Sequence, residues 1–174
     1  TVAARRSYQL ADRYRAQGNK VVMGGYHPTF LPDEALMHAD SVIIGDAEGS
    51  WEALLQDFSQ GRLQDRYYGD HSLPLDDYRI DRAIFNGKKY APVELIQYTR
   101  GCRFACDFCS IHGFYRTGVR ARPIDQLKAE LLTLKPNKFF IFVDDNLFGN
   151  RKILESLLAM LKPLKKRWGC QISI

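Results

Sequence analysis

Apolar and polar positions alternate along this chain in two rhythms. Val2, Ala3, Tyr8, Leu10, Ala11 and Tyr14 recur at an approximate 3.6-residue period, so residues 2–17 predict a helix that Gly18 stops. The run Lys20-Val21-Val22-Met23 predicts a short buried strand ending at Gly24-Gly25, and a turn is expected over Tyr26-His27-Pro28-Thr29. Pro32-Asp33-Glu34 opens a short helix to about His38, since proline and acids suit a first helical turn. Ser41 to Gly45 reads as a second buried strand. Glu48 to Phe58 reads as an amphipathic helix that turns Trp51, Leu54, Leu55 and Phe58 toward a core and ends at Gly61.

The pattern loosens from Asp65 to Tyr90, where Pro74, Gly87 and several acids separate isolated aromatics. Tyr67, Tyr68, Tyr78, Phe85 and Tyr90 are expected to anchor an irregular connector. Regular patterning returns with the β-type run Val93 to Tyr98. Ile124, Leu127, Leu131 and Leu134 then mark a helix, and Lys138 to Val143 a strongly buried strand. Leu154, Leu157, Leu158 and Leu161 mark a helix from Asn150 to Leu161, and Trp168 to Ile174 starts a third strand. Strands alternating with helices predict an α/β fold with parallel sheets. The expected division is a partial doubly wound, Rossmann-like domain over 1–70, a connector over 71–90, and the first βα units of a partial TIM-like barrel over 91–174. A whole barrel needs about 250 residues, and the chain has 174. It opens directly in a helix pattern and stops inside an apolar run, so it reads as a portion of a longer protein.

Composition changes little. The chain is 45% apolar and 26% charged, as globular domains are. No apolar run approaches the roughly 20 residues of a membrane span, and the mixed, basic start does not resemble a signal peptide. A net charge of +5 is mild. The basic cluster Lys162 to Arg167 reads as a helix end, so no nucleic-acid partner is expected.

The candidate chemistry lies in Arg100-Gly101-Cys102-Arg103-Phe104-Ala105-Cys106-Asp107-Phe108-Cys109. Three of the four cysteines fall within eight positions as CxxxCxxC, on a loop after a strand, where α/β proteins place their sites. Soft thiolates select iron–sulfur clusters, zinc or copper(I). Three readings are open: a three-thiolate cluster with an open iron; a zinc site of Cys102, Cys106, Cys109 and His112, which follows at CxxH spacing; and small buried hydrophobes. Reduced cysteines in this spacing suggest a reducing, cytoplasmic compartment, and disulfides are not expected. Asp144-Asp145-Asn146 ends the second strand of the same sheet, beside the cysteine loop. It either lines the site or caps the helix beginning near Asn150. Gly24-Gly25 would let a ligand approach the backbone of the first domain. Arg100 is either a partner for charge in the site or a surface side chain. Cys170, in the third strand, reads as a buried strand residue.

The cysteine spacing, with Phe108 before the last cysteine, resembles the radical S-adenosylmethionine (SAM) superfamily and its CxxxCxΦC signature. The resemblance implies that Cys102, Cys106 and Cys109 hold a [4Fe–4S] cluster whose open iron takes SAM. Reductive cleavage of SAM then yields a 5′-deoxyadenosyl radical that abstracts hydrogen from an unactivated carbon. Phe108, Asp144, Asp145 and Asn146 would help seat SAM, with Asp144 the best single candidate. Asp-Asp-Asn stands where the superfamily usually has Gly-Gly-Glu and is of the type in its cobalamin-associated branch. Residues 1–70 resemble the end of the cobalamin-binding domain of that branch, with Gly24 and Gly25 near the nucleotide tail of the cofactor. The DxHxxG landmark of many such domains is absent, and its usual place is upstream of Thr1. Family members methylate hopanoid lipids or cyclise tetrapyrroles, and this chain resembles the former more. The resemblance implies a small-molecule or lipid substrate, and a reductase or a flavodoxin- or ferredoxin-type electron donor.

Overall fold

The computed structural model describes residues 2–76, 80–115, 118–134 and 138–171. The chain divides into two compact units, 1–73 and 74–174.

In the first unit, β1 (Val22–Met23), β2 (Ser41–Ile44) and β3 (Arg66–Tyr68) form a parallel sheet in the order β1-β2-β3. Successive strand residues face opposite sides, and the two faces build two cores. Val42, with Met23 and Ile44, packs with Tyr8 of α1 (Ala4–Ala16) and Ala35 of α3 (Pro32–Leu36). Ile43, with Val22, packs with Tyr67 and with Leu54 of α4 (Trp51–Ser59). Helices thus cover both faces of a parallel sheet, a three-layer α/β arrangement.

Three expectations change here. Tyr26–Phe30 is a short helix, α2, rather than a turn. Gly25 at its start takes a φ of 92°, and Thr29 ties α2 to the sheet by accepting the Gly45 N–H at 2.9 Å. The third strand, β3, lies where an irregular connector was expected. Only Tyr67 of its three residues is buried, so it carries no apolar run. Of the four apolar residues expected to face the core from α4, only Leu54 is buried; Trp51, Leu55 and Phe58 are exposed. The helix presents one narrow contact to the sheet.

In the second unit, β4 (Val93–Ile96), β7 (Phe139–Phe142) and β8 (Trp168–Cys170) form a parallel sheet with β7 central. α6 (Ile124–Thr133) and α7 (Arg151–Leu161) share one core with it, built on Ile96, Leu127, Leu131, Phe140, Phe142 and Leu157. Leu158, expected in the α7 stripe, is exposed. Leu95 and Val143 are also exposed. A two-residue antiparallel pair, β5 (Thr99–Arg100) with β6 (Arg120–Ala121), closes the base of the cysteine loop.

Residues 82–85 form a single 3₁₀ turn, capped by Asp81 through the Ala83 N–H. The aromatics expected to anchor this stretch divide. Tyr67 is buried, while Tyr68, Phe85 and Tyr90 are exposed, and Tyr78 lies outside the described residues. The anchor is instead Arg82, which bonds Glu94 at 3.1 Å, Glu130 at 2.6 Å and the Leu95 carbonyl at 2.9 Å. Glu130 also takes a 2.7 Å bond from buried Arg122, which donates to the Gln97 carbonyl at 2.9 Å. Shared in this way, the charges are paired and hydrogen-bonded, as burial requires.

Candidate metal and cofactor site

β4 delivers the chain to the site at its carboxyl end. From Tyr98 onward the backbone is gripped by the end of the neighbouring strand, β7. Asp144 is 3% exposed, and its carboxylate accepts the Tyr98 N–H at 3.2 Å, the Thr99 N–H, and the Thr99 hydroxyl at 2.6 Å. Burial, the largest influence, pushes the Asp144 carboxyl up, although the three hydrogen bonds pull the other way. One residue on, Asp145 accepts the Gly101 N–H at 2.8 Å. One further on, the Asn146 amide donates to the Cys102 sulfur at 3.6 Å. Three consecutive residues of one strand end therefore hold Tyr98, Thr99, Gly101 and Cys102, the entry to the cysteine loop.

Gly101 makes this grip possible. Its φ is 89°, and a Cβ there would lie 2.1 Å from the Gly118 carbonyl oxygen. Only glycine fits a backbone held so closely from both sides. Beyond it the loop rises toward solvent. Cys102 and Cys109 are half-buried and Cys106 is exposed. A turn joins the last two, with the Cys109 N–H donating to the Cys106 carbonyl at 3.0 Å. Phe108 is 93% exposed, and the Arg103 guanidinium lies 4.7 Å from the Phe104 ring centroid. His112 sits exposed in α5 (Ser110–Tyr115), the short helix that follows.

All four cysteines are free thiols. Cys102, Cys106 and Cys109 are not core residues, so the reading as small buried hydrophobes fails for them. Cys170 packs against the second unit's core, and burial followed by the Asp144 charge pushes its thiol up. Among the described residues, no group of three His, Cys, Asp or Glu side chains is gathered closely enough to hold a metal ion. The loop nevertheless offers three soft, accessible donors, the donor chemistry of an iron–sulfur ligand set.

The alternative role for Asp144-Asp145-Asn146, capping α7, falls to another residue: Asn150 is the N-cap and accepts the Ile153 N–H at 3.2 Å. Arg100 donates through Nε to the Gln97 side chain at 3.1 Å. Gly24 and Gly25 end β1, 75 or more positions earlier in the chain, and belong to the first unit. Both are exposed, and nothing within 4 Å would meet a Cβ on Gly25. The hydrogen bonds from the β7 end to the cysteine loop escaped sequence reasoning. The only signal was three polar residues in a row directly after an apolar strand.

No protein-family model matches the chain. Its whole length is similar to two methyltransferases of Chlorobaculum tepidum. It is 34% identical to bacteriochlorophyllide d C-12(1)-methyltransferase and 35% identical to bacteriochlorophyllide d C-8(2)-methyltransferase. The chain spans 40% and 42% of the length of these relatives. Over 55% of its length it is 34% identical to a hopanoid C-2 methylase of Rhodopseudomonas palustris, of which this covers 20%. In these stretches, and in the CxxxCxΦC loop after β4, the chain is similar to members of the cobalamin-associated radical SAM family.

Proposed function

We propose that this chain carries the cluster-binding loop of a radical SAM enzyme that methylates or cyclises a small molecule or lipid at an unactivated carbon. The observation that carries the reading is the loop itself: three free thiols at CxxxCxΦC spacing, at the carboxyl end of β4, anchored by the neighbouring strand end. Cys102, Cys106 and Cys109 would hold the [4Fe–4S] cluster. When bound, it supplies an open iron for SAM and the electron that cleaves the sulfonium.

The chain's own residues prepare that site. Asp144 and Asp145 hold the backbone of Tyr98 to Gly101. Phe108, exposed on the loop, would help seat SAM beside the cluster. Asp144, Asp145 and Asn146 would help seat SAM at this strand end, Asp144 through the loop backbone that it holds. Gly24 and Gly25 leave the backbone at the end of β1 open to a second cofactor, for which cobalamin is the family's candidate. Similarity to the bacteriochlorophyllide methyltransferases over the whole chain favours a tetrapyrrole as substrate; the hopanoid methylase, matched over a shorter stretch, keeps a lipid in view. The setting would be the reducing cytoplasm, with a reductase, flavodoxin or ferredoxin as electron donor.

Anaerobic reconstitution with iron and sulfide tests this. The expected result is about four irons and four sulfides per chain, a SAM-dependent change in the spectrum of the reduced cluster, and loss of iron in Cys102→Ala, Cys106→Ala and Cys109→Ala. One tight zinc, no sulfide and dependence on His112 would instead establish the structural Cys₃His site and overturn the radical SAM reading.

A further inference from the structure

The three cysteines are unequal. Cys106 is exposed and Cys109 follows it by a tight turn, whereas Cys102 sits directly after the clamp. Gly101 fixes its backbone, and the side chain that meets its sulfur is Asn146, 4% exposed, donating through Nδ2 at 3.6 Å. Asn146 is itself held in place. Its carbonyl accepts the Gly149 N–H at 3.1 Å, and Gly149 packs so closely that a Cβ there would lie 3.2 Å from that oxygen. The next residue, Leu147, belongs to the core. A carboxamide placed in this way is a fixed donor aimed at one sulfur.

We infer that Asn146 is a positioning residue for Cys102, tuning that one ligand by hydrogen bonding to its sulfur rather than acting mainly on SAM. The inference rests on the reading of Cys102 as a ligand. A hydrogen bond to a ligand sulfur withdraws electron density from the metal–thiolate bond, and hydrogen bonds of this kind help set cluster potentials. Losing it leaves the sulfur a stronger donor and the cluster harder to reduce. The contact is to Cys102, so the effect falls on that corner of the site.

The test uses the whole chain with Asn146→Leu, which removes the donor at similar size, and Asn146→Asp, which keeps the shape and replaces the donor by an acceptor. Leu157→Ala serves as a control, because it destabilises the same unit's core without touching the clamp or the sulfur contact. The reduction midpoint of the reconstituted cluster is expected to fall by about 59 mV in Asn146→Leu, a tenfold change for one electron, and further in Asn146→Asp. Leu157→Ala should lower thermal stability and leave the midpoint in place. Each protein is also loaded with cobalt(II), where loss of the donor should move the thiolate-to-cobalt charge-transfer band to lower energy. A cobalt band that shifts in a protein that builds no iron cluster would leave Asn146 as the partner of Cys102 while the radical SAM reading fails. A complete cluster whose midpoint and cobalt band are both unmoved by the Asn146 substitutions would overturn the inference and leave the radical SAM reading intact.

Discussion

Asp144 shows how much one carboxylate can organise. It satisfies two backbone N–H groups and a hydroxyl in a place that water does not reach. Asp144→Ala would strand all three donors, at a cost of about 3 kcal/mol; denaturant unfolding followed by circular dichroism is expected to show that loss. Its ionisation works against folding as pH rises through its elevated folded-state value, because burial favours the neutral form. Asp40, in the first unit, has the opposite sign. Burial alone would raise its carboxyl, but the Val21 N–H at 2.9 Å, Lys20 at 3.0 Å and Arg15 at 3.4 Å outweigh this and hold it below its ordinary value. A depressed folded-state value contributes stability above the unfolded-state value and loses it as pH falls through the folded one. Thermal unfolding temperature should therefore drop on acidification below about pH 4, and Asp40→Asn should show a shallower drop.

At the scale of elements, burial divides residues that sequence periodicity groups together. Leu157 and Leu158 are neighbours on α7, both counted in its apolar stripe, yet the first is fully buried and the second exposed. Leu157→Ala is expected to cost about 3 kcal/mol and Leu158→Ala under about 1 kcal/mol, a contrast that paired chemical denaturation would measure. The central strands β2 and β7 were legible because each is a continuous apolar run. β3 was not, because a three-residue edge strand with one buried side chain has no periodicity to read. β5 and β6 are shorter still and exist through the clamp around them. The site divides in the same way. Its cysteines announce themselves by spacing within eight positions, whereas their supports lie 44 to 46 positions away in sequence and meet them only through the register of β4 against β7.

Over the whole molecule, the division into units 1–73 and 74–174 falls in the stretch where apolar patterning fades. The anchoring of that stretch was not legible as aromatic packing, because Arg82 does it with charge. Beyond Arg82, residues 86–92 are exposed and without regular structure. Trypsin is expected to cut first after Lys88 or Lys89, and mass spectrometry of a brief digest would identify the site. Arg82→Ala should speed that cleavage, because it removes the ties of this stretch to Glu94, Glu130 and the Leu95 carbonyl.

The clamp on the cysteine loop also sets a timetable. A ribosome releases Cys102, Cys106 and Cys109 well before Asp144, Asp145 and Asn146, and the parallel partner of β4 comes later than the loop it must steady. For that interval the thiols belong to an unfinished sheet, as open to oxidants as any unstructured segment. Biogenesis of this site is therefore a race between synthesis of β7 and damage to sulfur, and slower elongation over the intervening residues lengthens the risk.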